Sequence, residues 1–209
     1  MAKATRAAFG PTLLELVDEG IDVMAVDADL AGSTTTAKLA AAHPDRFVDV
    51  GIAEQNMIGV ASGLALTGRT VFTGSFAVFG SGRCWEQIRN TVCISNLNVK
   101  VCPTHAGITV GPDGETHQAL EDIALMRVLP HMRVLVPADY NAARAAAQAE
   151  MSKPSDNPDF VGGAYGWPVP GFYNISSPYG WRILYGQRDF HTGIDISGGG
   201  RVIYGAGVT

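Results

Sequence analysis

Along the first 150 residues, short apolar runs alternate with longer stretches whose apolar positions recur every three or four residues. Val23 to Val26, Phe47 to Val50, Thr70 to Thr73, Val99 to Cys102 and Val134 to Val136 are short, mostly apolar runs of the kind that form buried strands. Arg6 to Glu19, Thr34 to Ala42, Ala53 to Leu66, Gly82 to Ser95, Gln118 to Val128 and Asn141 to Glu150 carry the helical period, several of them beginning near a Ser, Thr, Asp or Asn suited to capping. Strand and helix in alternation predict parallel strands joined by right-handed crossovers, a three-layer α/β domain. In such sheets chemistry gathers beyond the carboxyl ends of the strands. The segments to search are therefore Asp27 to Ser33, Gly51 to Asn56, Gly74 to Gly82 and Pro103 to His117.

Composition divides the 209-residue chain in two. Residues 1–150 hold eleven basic and sixteen acidic residues, so the whole net charge of -5 lies there, while residues 151–209 hold four of each sign. The second part also carries twelve of the 25 glycines, five of the eleven prolines and five of the six tyrosines, a density that favours short strands and turns. The stretch from Met151 to Pro158, polar and twice interrupted by proline, has the character of a linker. The expected organisation is a domain over 1–150, a linker over 151–159 and a small β-rich segment over 160–209.

Net negative charge without a basic patch argues against nucleic acid as a partner. No apolar run reaches the length of a membrane span, and the charged residues Lys3, Arg6, Glu15, Asp18 and Glu19 interrupt any secretory signal, so a cytoplasmic location is expected. Cys84, Cys93 and Cys102 are odd in number and lack a C-x-x-C pair, which fits small buried residues in a reducing compartment.

The carboxyl-end segments hold a glutamate at a helix start (Glu54), two phenylalanines three apart (Phe76 and Phe79), and two histidines bracketing an acid (His105, Asp113, His117). Glu54 suits the positive end of a helix as well as it suits chemistry. Phe76 and Phe79 suit a core as well as a ligand wall. The histidines lie in a glycine-rich loop, without the i, i+4 spacing of a helical metal pair, and solvated loop residues would look the same.

Four strings in order, Phe47 to Asn56 (FVDVGIAEQN), Gly74 to Phe79 (GSFAVF), Thr104 to Gln118 (THAGITVGPDGETHQ) and Pro137 to Asp139, resemble the pyrimidine-binding domain of transketolases, with special likeness to the C-terminal subunit of split transketolases. The likeness covers about residues 5–149. It implies the thiamine-diphosphate-binding fold and a subunit of an enzyme that transfers a two-carbon ketol unit between sugars. In that family a carboxyl group bonded to the pyrimidine N1′ of thiamine diphosphate favours the imino tautomer that removes the thiazolium proton, and Glu54 occupies its position. Phe76 and Phe79 match residues that wall the pyrimidine ring. His105, Asp113 and His117 match residues that face the reacting sugar, with the histidines suited to proton transfer and His105 and Asp113 to hydroxyl recognition.

Departures accompany the match. Gly82 replaces an aromatic residue, Asp27 replaces a serine, and Val136 stands where a basic residue commonly holds the sugar phosphate. No Gly-Asp-Gly string with a following Asn, the family's ligands for Mg2+ and diphosphate, is present. The resemblance thus implies a separate diphosphate-binding subunit that brings the metal ligands, a hetero-oligomer, and sugar phosphate substrates.

Residues 160–209 resemble a different family. Gly166 to Gly171 (GWPVPG), Ile175 to Arg182 (ISSPYGWR) and Phe190 to Ile196 (FHTGIDI) look like the start of an M23-type zinc endopeptidase domain of the LytM kind, which cleaves peptidoglycan peptides. His191 and Asp195 match its first two zinc ligands. No histidine follows His191 to complete the set. Two partial likenesses meeting near Glu150 give the expectation of a junction between once-separate reading frames, and a peptidoglycan-directed fragment is the alternative function.

Overall fold

A computed structural model describes residues 3–151, and beyond them the backbone of four short strands between residues 175 and 196. The chain packs as two units, Met1–Ala164 and Tyr165–Thr209.

In the first unit a 3-10 turn, Thr5–Ala8, leads into α1 (Phe9–Asp18), β1 (Val23–Asp27), α2 (Ala31–Thr34), α3 (Ala37–Ala42) and β2 (Phe47–Asp49). Then come α4 (Glu54–Ala65), β3 (Thr70–Gly74), a π-helical turn Val78–Arg83, α5 (Trp85–Gln87), a second π-helical turn Ile88–Cys93 and β4 (Val99–Val101). The helices α6 (Asp122–Arg127) and α7 (Tyr140–Met151) complete it. The four strands are parallel in the order β2-β1-β3-β4. Every residue of the central β1 is buried, which is why it reads as an unbroken apolar run.

Alternation along the strands sends side chains to two separate cores. Met24, Val26 and Val71 face a core built with Met57, Ile58 and Ala61 of α4, Ile88 and Val92 of the second π turn, and Leu129. Val23, Ala25 and Phe72 face the other way, onto Leu13 and Leu16 of α1 and Leu39 of α3. The result is the expected three-layer α/β domain.

Several expected elements differ. Val134 to Val136 form no strand: Val134 packs on the first core, but Leu135 and Val136 are exposed and Pro137 follows, which has no N–H to give a ladder. The helix expected over Thr34 to Ala42 is broken at Thr35, whose φ of 73° is left-handed. The hydroxyl of Thr35 accepts the Gly10 N–H at 2.9 Å and donates to the Arg6 carbonyl at 3.2 Å. A side chain at position 10 would put its Cβ 1.8 Å from the Thr35 carbonyl oxygen, so a bare glycine is what lets α1 meet this turn. Of the helix expected over Gln118 to Val128, only Asp122–Arg127 forms, and Glu115–His117 is a 3-10 turn. Capping side chains are fewer than expected: Asp139 caps α7 by accepting the Ala142 N–H at 2.8 Å, while α4 starts after Ala53 with no side-chain cap.

In the second unit β5 (Ile175–Ser177) pairs antiparallel with β8 (Asp195–Ile196), and β6 (Gly180–Leu184) with β7 (Gln187–His191). The backbone of His191 lies opposite Gly180 and that of Asp195 opposite Ser177. Their side chains, and so the expected zinc pair, lie outside the described residues. No helix among the described residues is long and apolar enough to cross a membrane.

Candidate active site

The loops after β1, β2, β3 and β4 meet at one edge of the sheet. The Asp27 carbonyl accepts the Val50 N–H at 3.0 Å, and the Gly74 carbonyl accepts the Ala28 N–H at 3.2 Å. Beyond β3 and β4 the parallel ladder continues as a bridge between Phe76 and Thr104, with the Thr104 N–H on the Ser75 carbonyl at 2.9 Å and the Ala77 N–H on the Thr104 carbonyl at 2.7 Å. This bridge fixes Phe76 beside His105.

At the base lies Asp27, fully buried. Its Oδ2 accepts the hydroxyls of Thr34 (2.7 Å) and Thr36 (2.8 Å), and its Oδ1 accepts the Leu30 N–H (2.8 Å). Burial pushes its pKa above the usual carboxylate range, against the pull of these three bonds. The carboxylate thus pins the chain after β1 to the sheet.

Glu54, first residue of α4, is only 2% exposed, far more buried than a dipole-seeking surface glutamate would be. Both its carboxylate oxygens accept from Nη1 of Arg83, at 3.0 and 2.9 Å. The Arg83 guanidinium lies 4.5 Å above the Phe79 ring, a cation–π contact. Phe79 and Phe76 are near-parallel, with centroids 6.4 Å apart. His117 stands edge-on to Phe79 at 5.2 Å and to Phe76 at 6.1 Å, and His105 lies 4.1 Å from Phe76. Five of the six candidates expected at the strand ends, Glu54, Phe76, Phe79, His105 and His117, therefore form one continuous cluster.

His105 has φ of 59°, a left-handed backbone shared on this edge by Asp29 (62°) and Thr35 (73°). Its Nδ1 is 2.8 Å from the Thr104 hydroxyl, and the His117 Nδ1 is 2.9 Å from that of Thr116. Burial and then the charge of Arg6 push the His105 pKa down, opposed by Asp113. Asp113 sits on an exposed 3-10 turn, Gly111–Asp113, in a loop closed by the Gly107 N–H on the Ala119 carbonyl (2.8 Å). It joins the cluster through its charge rather than by ring contact.

Arg83 escaped the sequence reading. A signal was present: four residues after Phe79 in a helical stretch, a cation falls beside that ring. Arg6, whose charge reaches His105 and whose Nη1 donates to the Ser33 carbonyl at 2.9 Å, escaped it too. Among the described residues no three His, Cys, Asp or Glu side chains are grouped to hold a metal ion.

A three-layer parallel α/β domain whose strand ends present a buried glutamate flanked by stacked aromatic rings and histidines is the class this geometry defines. The chain belongs to the transketolase pyrimidine-binding domain family, whose model (Transketolase, pyrimidine binding domain) matches residues 1–161. It is 55% identical over 138 residues to the "Putative transketolase C-terminal section" of Methanocaldococcus jannaschii, covering 66% of this chain and 44% of that protein. It is 40% identical over 141 residues to the 6-deoxy-6-sulfo-D-fructose transketolase subunit SqwH of a Clostridium species, covering 68% and 44%. The chain thus spans less than half the length of these relatives. Among solved structures, "Split gene transketolase, inactive beta4 tetramer" superposes with a TM-score of 0.65 at 47% identity, covering 74% of this chain and 50% of that one. A transketolase of Pichia stipitis in complex with sedoheptulose 7-phosphate gives 0.66 at 27% identity, covering 74% and 25%. The family model ends at residue 161, at the start of the segment for which the peptidase likeness is expected.

Proposed function

We propose that the chain acts as the pyrimidine-binding subunit of a split, thiamine-diphosphate-dependent transketolase, transferring a two-carbon ketol unit between sugar phosphates in the cytoplasm. The observation that carries this reading is the buried Glu54 carboxylate beside the Phe76–Phe79 pair and the two histidines. A flat, polar-edged heteroaromatic ring fits such a donor set: apolar faces beside it, and one carboxylate acceptor at its edge. When bound, thiamine diphosphate supplies the carbanion chemistry of ketol transfer.

The chain's own residues have narrower tasks. Glu54 bonds the pyrimidine N1′ and holds the proton there. Phe76 and Phe79 exclude water from that bond, which strengthens it. His105, kept neutral by burial and by Arg6, accepts or returns a proton at a sugar hydroxyl, and His117 lines the same approach. Asp113 orients substrate hydroxyls from the rim.

Mg2+ and the diphosphate are held by a separate subunit, so the working enzyme is a hetero-oligomer. Two relatives described as a C-terminal section and as a subunit, and a neighbour described as an inactive β4 tetramer, support this division. The sugar phosphate in the Pichia stipitis complex supports the substrate class.

Calorimetry of the chain alone and mixed with a diphosphate-binding subunit tests the reading. Tight thiamine diphosphate binding and ketol transfer are expected only in the mixture. Micromolar or tighter binding by the chain alone overturns the two-subunit arrangement. In the assembled enzyme Glu54→Gln should lower turnover by about a hundredfold or more with the fold intact, since an amide cannot share a proton with N1′ as a carboxyl does. Unchanged turnover removes Glu54 from the mechanism.

A further inference from the structure

The Arg83–Glu54 pair joins two very different environments. Glu54 is 2% exposed, whereas the Arg83 side chain is 48% exposed, so the guanidinium stands between the buried carboxylate and solvent. One guanidinium nitrogen spans both carboxylate oxygens, and the same group lies on the face of Phe79. Arg83 therefore covers at once the acceptor and one wall ring assigned to the pyrimidine. The next residue of α4 grips it as well, since the Gln55 side-chain amide donates to the Arg83 carbonyl at 3.3 Å.

Arg83 ends the π-helical turn Val78–Arg83, a form wider than an α-helix and frequent at functional sites. Gly82, directly before it, has open space where a side chain would stand. A half-exposed guanidinium on a long apolar stem swings into water at small cost.

We propose that Arg83 is a latch on the cofactor site. In the free subunit its guanidinium occupies the place of the pyrimidine's N1′ edge and neutralises Glu54, and it withdraws toward solvent when the pyrimidine takes over the carboxylate. The inference rests on the function proposed above and adds its regulation. The latch has a reason: a buried carboxylate without a partner is strongly unfavourable, so the free chain needs a stand-in for the missing ring. It also has a consequence. Only the open fraction of the subunit is competent, and apparent affinity for the pyrimidine falls in proportion.

The test uses the full chain and the pyrimidine half of the cofactor, 4-amino-5-hydroxymethyl-2-methylpyrimidine, as probe. Binding is followed by calorimetry, and the Arg83 side-chain N–H by NMR. Arg83→Gln is expected to bind the probe about tenfold tighter than wild type or better. Arg83→Lys, which keeps a charge but not the planar fork, should fall between the two. In wild type the Arg83 signal should move to the position of a solvated guanidinium as the probe saturates. Binding by Arg83→Gln that is equal to, weaker than or absent relative to wild type overturns the latch, as does saturation with the Arg83 signal unmoved. Should Arg83→Gln fail to fold, the lysine variant and the NMR readout decide. Glu54→Gln separates this from the parent reading: loss of probe binding there with no gain in Arg83→Gln refutes the latch alone, whereas undiminished binding in Glu54→Gln refutes the pyrimidine site itself.

Discussion

Gly74→Ala is a one-methyl change whose effect follows from a single contact. The new Cβ would stand 2.4 Å from Oδ2 of Asp27 and 3.3 Å from its Cγ, with Phe9 Cε1 at 3.5 Å closing the other side. Ordinary contact begins near 3.4 Å, so the carboxylate must retreat by about 1 Å. That oxygen is the one on which the Thr34 and Thr36 hydroxyls converge at 2.7 and 2.8 Å, and a displacement of that size disrupts the geometry of both bonds. Each hydrogen bond to a charged, buried acceptor is worth about 1.5–3 kcal/mol. Alanine returns roughly 0.5–1 kcal/mol by restricting the unfolded chain. The net expected loss is about 3 kcal/mol, read as a shifted urea midpoint at constant m-value. The variant also carries an internal control. Thr34→Val should cost less in the Gly74→Ala background than in wild type, because its bond is already disrupted. A loss under about 1 kcal/mol, or strict additivity with Thr34→Val, refutes the claim that the bare Gly74 is what leaves the Asp27 carboxylate room to hold its hydroxyl partners.

Two other expectations concern titration. Because burial and Arg6 depress the His105 pKa, the unfolded chain takes up that proton more readily than the folded one, so this residue favours folding above the ordinary histidine range and loses that contribution as pH falls through it. His105→Asn should therefore lose less thermal stability than wild type between pH 7 and pH 5, and parallel melting curves for the two would contradict the assignment. Burial pushes Cys84 up to about 12 and Cys93 up to about 11, so neither should react with a disulfide reagent at pH 8 until the chain unfolds; peptide mapping that finds either labelled rapidly in the native state would refute their placement in the core.

The sheet was legible because parallel strands buried on both faces show as apolar runs, and Val23 to Val26 is the clearest of them. Val134 to Val136 has the same look, but Pro137 and exposure of its last two residues deny it a ladder, and three residues are too few for periodicity to warn of this. The break at Thr35 depends on Gly10, twenty-five positions earlier, so no local pattern could announce it. Nor does a sequence window distinguish the π turns at Val78–Arg83 and Ile88–Cys93 from α-helix, since they differ in hydrogen-bond register and not in apolar spacing. At the site, position alone left Glu54 open to a helix-dipole explanation. Its burial and its grip by Arg83 supply the stronger cause. The two readings of Phe76 are both satisfied, since the ring is 6% exposed and yet lies against His105.

Asp29, Thr35 and His105 share a consequence that reaches beyond this fold. Each holds a left-handed backbone that only glycine adopts freely. Directed evolution for heat tolerance alone would find glycine at Asp29 and His105, since relief of about 1 kcal/mol at each is within reach of a single codon change or two, whereas at Thr35 the two bonds of the hydroxyl offset the gain. A library enriched that way would yield a sturdier protein with a slack rim and a missing imidazole. Laboratory selection on this chain should therefore score the activity proposed for it and survival together, or it will discard the first to gain the second.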